Sequence, residues 1–204
     1  MNQIHDILGS IIIGGIVLLM LTAFNGNVME SAGIQIYKTT VQGNLTTVTD
    51  ILEYDFRKMG YRVSPTQDSA ITFADTSKIT FKGDFNDDGV IDSLQYYIDT
   101  VRAFLTPNPN DKVLRRKLNT QSPQAMFVGA TRFKVQYYSI NDTLIKTTPV
   151  ITTSKIKAVK ITLIIQSTDR IFDTRKGQRI SNPFNDTTYA GVYWERKVKP
   201  VNMR

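Results

Sequence analysis

The chain has 204 residues, a formal net charge of +7, one histidine and no cysteine. The lack of cysteine excludes disulfides, thiol chemistry, zinc–thiolate sites and iron–sulfur clusters. With His5 as its only histidine, one chain cannot build a Ser-His-Asp triad or a cluster of histidine metal ligands. The sequence also has no glycine-rich phosphate loop. We therefore predict that the protein is not an enzyme.

The chain opens with an apolar run, ILGSIIIGGIVLLMLTAFNGNVM, which has no charged residue from Ile7 to Met29. About 20 such residues in a helix cross the hydrocarbon core of a bilayer. The alternative is a cleaved signal peptide, which usually begins with lysine or arginine, whereas residues 1–6 contain neither. We predict that residues 1–30 form the transmembrane half of a long helix, and that the large C-terminal part faces outward.

Small residues are grouped near the start of this run. Ser10 and Gly14 form a small-xxx-small pair, and Gly9 and Gly15 add two positions without a side chain. Small side chains let a second helix approach closely, so these positions are candidate assembly contacts. The alternative is that glycine is simply frequent in membrane helices. Asp6 completes the candidate assembly set, and we predict that it caps the positive end of the helix.

Residues 31–62 contain no proline and show a helical period. The apolar residues spaced by three and four are Val41, Leu45, Val48, Leu52, Phe56 and Met59. This stripe predicts the amphipathic half of the same helix, which ends near Tyr61 after Gly60. The charged residues predicted to lie largely on the opposite, solvated side are Asp50, Glu53, Asp55, Arg57 and Lys58. Gly33 and Gly43 are predicted to be positions where the helix bends or locally unfolds more easily.

Residues 63–204 have the pattern of a β-sheet domain, because the period changes to two after Pro65. The predicted strands are 70–74, 78–82, 90–99, 113–118, 132–138, 156–167 and 190–198. Since no helical pattern separates them, they should form an antiparallel sheet. The predicted fold is α+β, with the long N-terminal helix packed on an antiparallel β-sheet.

One motif in this domain has the residue types of a calcium loop. The segment DFNDDGVID places oxygen ligands at alternate positions and a glycine at the bend. The predicted Ca²⁺ ligands are the side chains of Asp84, Asn86, Asp88 and Asp92 and the carbonyl of Val90. The twelfth position is Gln95 instead of a bidentate glutamate, so the predicted site is incomplete or weak. The alternative is a tight Asp-Gly hairpin turn, which has the same sequence preference.

Two clusters of basic residues are candidates for binding a polyanion. They comprise Lys112, Arg115, Arg116 and Lys117 near Phe104, and Arg175, Lys176 and Arg179 near Phe172. Basic loops with aromatic side chains bind single-stranded nucleic acid by charge and stacking. The favoured alternative is that these are solvated loops of a basic protein.

Four segments of the sequence resemble type IV pilins and type II secretion pseudopilins, most closely the minor PilW-like and J-type members. They are ILEYDFRKMGY at 51–61, the strand–turn–strand segment 79–97, FVGATRFKVQYY at 127–138, and the tail 194–202. A long apolar then amphipathic helix followed by one antiparallel sheet is also similar to this family. The family's cleavage junction, a glycine followed by Phe-Thr-Leu-Ile-Glu, has no counterpart in residues 1–8.

The resemblance implies a structural protein of the cell envelope. It would cross the inner (cytoplasmic) membrane once, expose its C-terminal domain on the extracytoplasmic side, and later enter an extracellular or periplasmic filament. Its partners would be the membrane and homologous pilin-like subunits, bound through the N-terminal helix. We accordingly predict a minor pilin or pseudopilin. The alternative function is a monomeric, membrane-anchored extracytoplasmic module that binds DNA or an acidic polymer.

Overall fold

The computed structural model describes residues 2–64, 69–102, 106–169 and 189–200. Its first element is a single helix, α1 (Asn2–Arg57). Gly33 and Gly43 lie within this helix and do not interrupt it. The predicted transmembrane and amphipathic halves are therefore one continuous rod.

The C-terminal end of α1 is fixed by a glycine. The helix stops before the predicted Tyr61, because Gly60 takes a left-handed conformation with φ of 74°. The amide of Gly60 then donates a hydrogen bond to the carbonyl of Lys82 at 2.8 Å. This bond ties the end of the helix to the sheet.

Eight β-strands follow and form one curled sheet. They are β1 (Ile71–Ala74), β2 (Lys78–Gly83), β3 (Asp92–Arg102), β4 (Lys112–Leu118), β5 (Gln124–Tyr138), β6 (Leu144–Ile145), β7 (Ala158–Gln166) and β8 (Gly191–Val198). The order across the sheet is β1-β2-β3-β4-β5-β7-β8, and β6 pairs with the end of β5. All of these pairings are antiparallel. The predicted α+β fold is confirmed. Among the described elements, β6, a 3-10 turn at Thr153–Lys155 and the first half of β5, residues 124–131, were not predicted. The first two are too short for a period to show.

The predicted apolar stripe of α1 faces the sheet. Val41, Val48, Leu52, Phe56 and Met59 are buried, and Leu45 is partly buried against them. The ring of Phe56 lies 4.9 Å from that of Phe81 and 5.8 Å from that of Tyr96, between centroids. Burying one such side chain stabilises the fold by about 1.5–3 kcal/mol. The stripe therefore holds the second half of α1 firmly on the sheet.

The prediction that Asp55 lies on the solvated side of α1 was wrong, since the residue is only 1% exposed. Asp55 stands three residues after Leu52 and four before Met59, a spacing that places it on the buried face. Its charge alone predicts an exposed side chain, but its position in the helical period places the side chain on the buried face. The prediction is confirmed for Asp50 and Arg57, which are exposed.

Gly129 marks an irregular point in β5. Its φ is 77°, and a Cβ added there would lie 2.2 Å from the carbonyl oxygen of Gln166 in β7. We expect Gly129→Ala to lower the free energy of unfolding by about 2–4 kcal/mol. Alanine would be strained in the left-handed conformation, and its Cβ would displace the paired strand β7. Thermal unfolding of the full chain in detergent, followed by circular dichroism, measures this loss. Gly43→Ala is the control, because nothing lies within 4 Å of its added Cβ. Equal losses for the two variants would contradict the prediction.

Candidate functional site

The N-terminal part of α1 projects beyond the sheet. Val41 is the first buried residue of the helix, so residues 3–40, about 57 Å at 1.5 Å per residue, form what we call the projecting segment. The consecutive residues Ile11, Ile12 and Ile13 are 66%, 58% and 64% exposed. Successive helical residues are about 100° apart, so the uncharged part of this segment, residues 7–29, is apolar all round. Such a surface requires lipid or protein around it.

The projecting segment meets the requirements of a membrane span. Among the described residues one helix, α1, is long and apolar enough to cross a membrane. Its most apolar 18-residue window has a mean hydropathy of 2.5, and none of that window is buried. A signal sequence near an N-terminus has the same properties. The membrane-compatible helix is therefore confirmed, whereas its orientation and the final location of the protein stay predictions.

The small residues predicted as assembly contacts all lie in the projecting segment. No atom lies within 4 Å of a Cβ added to Gly9, Gly14 or Gly15, so the helix surface is open at each. Ser10 and Gly14 are four residues apart and share a face. Gly9 and Gly15 lie about 100° to either side of that pair. The four residues therefore thin the helix over a wide arc and do not form one narrow strip.

Asp6 does not cap α1, contrary to the prediction. The helix already begins at Asn2, and its first turn contains no acidic residue. No proline or glycine interrupts residues 2–6, so the helix extends upstream of the apolar run. The backbone carbonyl of Asp6 accepts a hydrogen bond from the hydroxyl of Ser10, as serines within helices commonly donate.

Residues 84–92, which we call the acidic loop, connect β2 to β3. The loop turns through two left-handed residues, Asp87 with φ of 62° and Gly89 with φ of 86°. Three predicted ligands accept hydrogen bonds from amides at the bend of the loop: Asp84 from Gly89 at 3.0 Å, Asn86 from Asp88 at 3.3 Å, and Asp88 from Val90 at 2.7 Å. Each of these three side chains thus forms a bond within the loop, which is too long for the two-residue Asp-Gly turn that was the alternative.

Asp84 is the least accessible of these residues, with 0% exposure. Its Oδ2 accepts a second hydrogen bond, from Nη1 of Arg62 at 2.9 Å. Its Oδ1 is buried and has no hydrogen-bond partner among the described residues. A buried carboxylate oxygen without a donor costs free energy, so its presence calls for a physical reason.

Asp92 fastens the two ends of the acidic loop. It is 4% exposed, and its Oδ2 accepts from the amide of Phe85 at 3.3 Å. Its Oδ1 accepts from Nδ2 of Asn119 at 2.7 Å, which links the loop to the turn after β4. Lys58, at the end of α1, donates to the carbonyl of Phe85 at 3.2 Å and to Asp87 at 2.7 Å. Both oxygens of Asp92 are therefore engaged in holding the ends of the loop.

Within the described ranges, no three carboxylate, imidazole or thiolate groups are placed to hold a metal ion together. The oxygens predicted as calcium ligands come from a mixed set of carboxylates, one amide and one backbone carbonyl. Such oxygen donors suit Ca²⁺, which accepts irregular coordination. Calcium binding by the acidic loop stays a prediction.

The basic residues of β4 do not form one surface. Successive residues of a strand point to opposite faces of the sheet. Arg116 shares the helix-facing side with the buried Leu114, whereas Arg115 and Lys117 point to the other side. Lys112, at the start of the strand, is half-buried. The run of charges in the sequence is thus divided between two faces.

Two of the four are paired with acids of this chain. Arg116 Nε lies 2.7 Å from Oδ2 of Asp55, and Arg115 Nε lies 2.6 Å from Oδ2 of Asp99. The assignment of Arg116 to a polyanion surface is corrected, because its guanidinium serves an internal ion pair. The other predicted cluster and the two aromatic residues named with these clusters lie outside the described residues: Arg175, Lys176, Arg179, Phe104 and Phe172.

The ion pair of Asp55 and Arg116 was not predicted. It is bidentate, with a second contact of 3.1 Å from Nη2 to Oδ1, and the hydroxyl of Tyr96 also donates to Asp55. Burial, with Asp55 beside it, raises the pKa of Tyr96 well above its usual value, so this phenol stays protonated. We call these three residues the junction cluster, since it joins α1 to β3 and β4. The spacing of Asp55 in the helical stripe, and the alternation of β4, are the signals that point to it.

Comparison of the sequence with protein-family models and with curated proteins gives no match. The likeness to pilins therefore rests on the four sequence segments and on the order of a long helix and an antiparallel sheet.

Proposed function

We propose that this protein is a structural, pilin-like subunit that assembles into a filament through its N-terminal helix. The observation that carries the proposal is the projecting segment, which is exposed and, over residues 7–29, apolar all round. Lipid covers such a surface in a membrane, and neighbouring helices cover it in a bundle. The same segment thus serves the single subunit before assembly and the polymer afterwards.

The continuity of α1 supports assembly over simple anchoring. The helix passes from the projecting segment into the sheet domain without a break, and Leu52 and Phe56 fix its second half. A simple anchor works with a flexible linker between membrane and domain. A regular array of subunits needs each domain at a fixed angle to its helix, and an unbroken helix meets that need.

The lengths agree with a single span of the inner membrane. The uncharged residues 7–29 extend about 35 Å, slightly more than the hydrocarbon core of about 30 Å. Residues 30–40 add about 16 Å, enough to hold the sheet domain clear of the lipid head groups. In the proposed topology the sheet domain is extracytoplasmic, and the subunit is a minor pilin or a pseudopilin.

The alternative of a DNA- or polymer-binding module has less support. Arg115 and Arg116 are charge-compensated by acids of this chain, which reduces the field available to a polyanion. Isolation of filaments from cells that make the protein separates the two functions. We expect shearing to release it in a sedimentable, filamentous fraction. Complete retention in detergent-extractable membrane would contradict assembly and favour the anchored module.

A variant of the small pair tests which surface assembles. We expect Gly14→Ile to reduce the sheared fraction at least tenfold, since a branched side chain prevents close approach of a second helix. Membrane retention should be unchanged, because the substitution stays apolar. Gly26→Ile is the matched control, as it makes the same change about 120° around the helix from Gly14. Equal loss in both variants would contradict packing through the Ser10–Gly14 face.

A further inference from the structure

We propose that the acidic loop binds a Ca²⁺ ion, with Oδ1 of Asp84 as its buried ligand. This inference does not depend on filament assembly. It begins from an atom that the rest of the fold leaves unexplained, since Oδ1 is buried without a hydrogen-bond partner among the described residues. The other oxygen of the same carboxylate accepts from the amide of Gly89, the glycine at the bend, so the carboxylate lies against the backbone of the loop. A cation there would satisfy the unpaired oxygen.

The remaining oxygens are held by the loop itself. Asn86 and Asp88 each accept an amide of the loop, and Nδ2 of Asn86 also donates to Oδ2 of Asp88 at 2.8 Å. These bonds fix both side chains, and each bonded oxygen keeps a second lone pair. The carbonyl of Val90 follows at the seventh position, where calcium loops supply a backbone oxygen. Asp92 acts as a positioning residue, because its bonds to Phe85 and Asn119 hold the loop ends in place. Water would complete the six to eight oxygens that Ca²⁺ takes.

The charges around the loop favour a divalent cation. Lys58 pairs with Asp87, and Arg62 pairs with Asp84. In the described structure Asp88 and Asp92 accept hydrogen bonds only from neutral groups. Two carboxylate charges are therefore left without a cationic partner, and one Ca²⁺ would compensate both.

Arg62 is the competitor for this site. Its guanidinium contacts Oδ2 of Asp84, yet its side chain is 47% exposed, so it can withdraw into solvent when a metal ion enters. The bidentate glutamate of strong calcium loops is replaced by Gln95, whose amide donates to Thr80. Both features weaken the site. We expect a dissociation constant on the order of 10⁻⁴–10⁻³ M, the range of extracellular calcium modules.

Titration calorimetry of the full chain in detergent with CaCl₂ tests the proposal. Asp88→Asn should weaken binding about tenfold or more, because it removes a ligand charge while keeping the amide oxygen that accepts from Val90. Asp87→Asn is the matched control, since it removes the same charge from the adjacent residue, whose carboxylate faces Lys58. It should change the affinity by less than about threefold. Circular dichroism should show both variants folded.

A third variant makes the test sharper. Arg62→Gln should tighten Ca²⁺ binding several-fold, because it removes the competing cation, and it should make the melting temperature more dependent on Ca²⁺. MgCl₂ at the same concentration should not replace CaCl₂, since Mg²⁺ demands octahedral geometry. The proposal is overturned if the wild type shows no saturable binding up to about 10 mM, well above the expected range. It is equally overturned if Asp87→Asn and Asp88→Asn lose the same affinity, or if Arg62→Gln binds no more tightly.

Discussion

Replacement of Asp55 by alanine is expected to lower the free energy of unfolding by about 3–5 kcal/mol, a larger loss than that expected for Gly129→Ala. The change leaves the guanidinium of Arg116, which is only 18% exposed, without its counter-ion. It also removes the acceptor of the buried Tyr96 hydroxyl. A buried charge that has lost its partner costs more than the intact pair contributed, because its desolvation is no longer offset.

Two further variants distinguish this effect from a general loss of charge. Glu53→Ala removes an acid two residues earlier, where the ion pair with Arg196 is more exposed, and should cost less than about 1 kcal/mol. The double variant Asp55→Leu with Arg116→Met should recover most of the stability, since neither buried charge remains. Chemical denaturation in detergent, followed by tryptophan fluorescence of Trp194, compares all of them. Equal losses for Asp55→Ala and Glu53→Ala would refute the role assigned to the junction cluster.

The junction cluster also bears on the proposed assembly. It holds α1 against β3 and β4 close to the end of the helix, where Gly60 already ties the chain to Lys82. A subunit whose helix is loosened from its sheet would present its domain at no fixed angle. The cluster therefore stabilises the orientation that a regular filament requires, in addition to the fold.

Periodicity was sufficient to predict most of the fold. A stripe from Val41 to Met59 and strands with alternating burial each repeat over many residues, so packing and pattern agree. The helix end was placed a few residues late, since the sequence shows Gly60 but not the left-handed conformation that stops the helix before it. Residue type alone predicts that Asp55 is exposed, whereas its spacing in the helix places it on the buried face.

In the acidic loop, the sequence identifies the candidate ligands but not the long-range contacts that restrain them. Its ligand types and the role of Gly89 are local, so the motif identifies the three side chains that accept amides within the loop. Its restraints are not local: Asp84 pairs with Arg62, and Asp92 bonds to Asn119. Contacts between residues this far apart in the chain depend on how β2, β3 and β4 are arranged. The sequence contains the residues but not their distances.

Two lysines in the middle of the projecting segment are expected to remove the protein from the membrane. Leu18→Lys with Leu19→Lys places two charges near the centre of the apolar run and should cost about 5–7 kcal/mol of insertion free energy. Both side chains are more than 60% exposed, so the sheet domain should fold as before. Carbonate extraction of membranes, with immunoblotting of pellet and supernatant, measures retention.

The control is Thr46→Lys with Thr47→Lys, two exposed positions of the same helix beyond the apolar run. This variant should stay in the membrane pellet, because its charges lie outside the hydrocarbon core. Retention of the Leu18 and Leu19 variant would contradict a span at residues 7–29. Release of the unaltered protein with a shortened N-terminus would instead identify a cleaved signal sequence.

The lysines at positions 18 and 19 should also prevent assembly, since the core of a helix bundle excludes unpaired lysines as strongly as lipid does. Because the same segment is proposed to contact lipid before assembly and other helices afterwards, the two lysines should disrupt both membrane insertion and assembly.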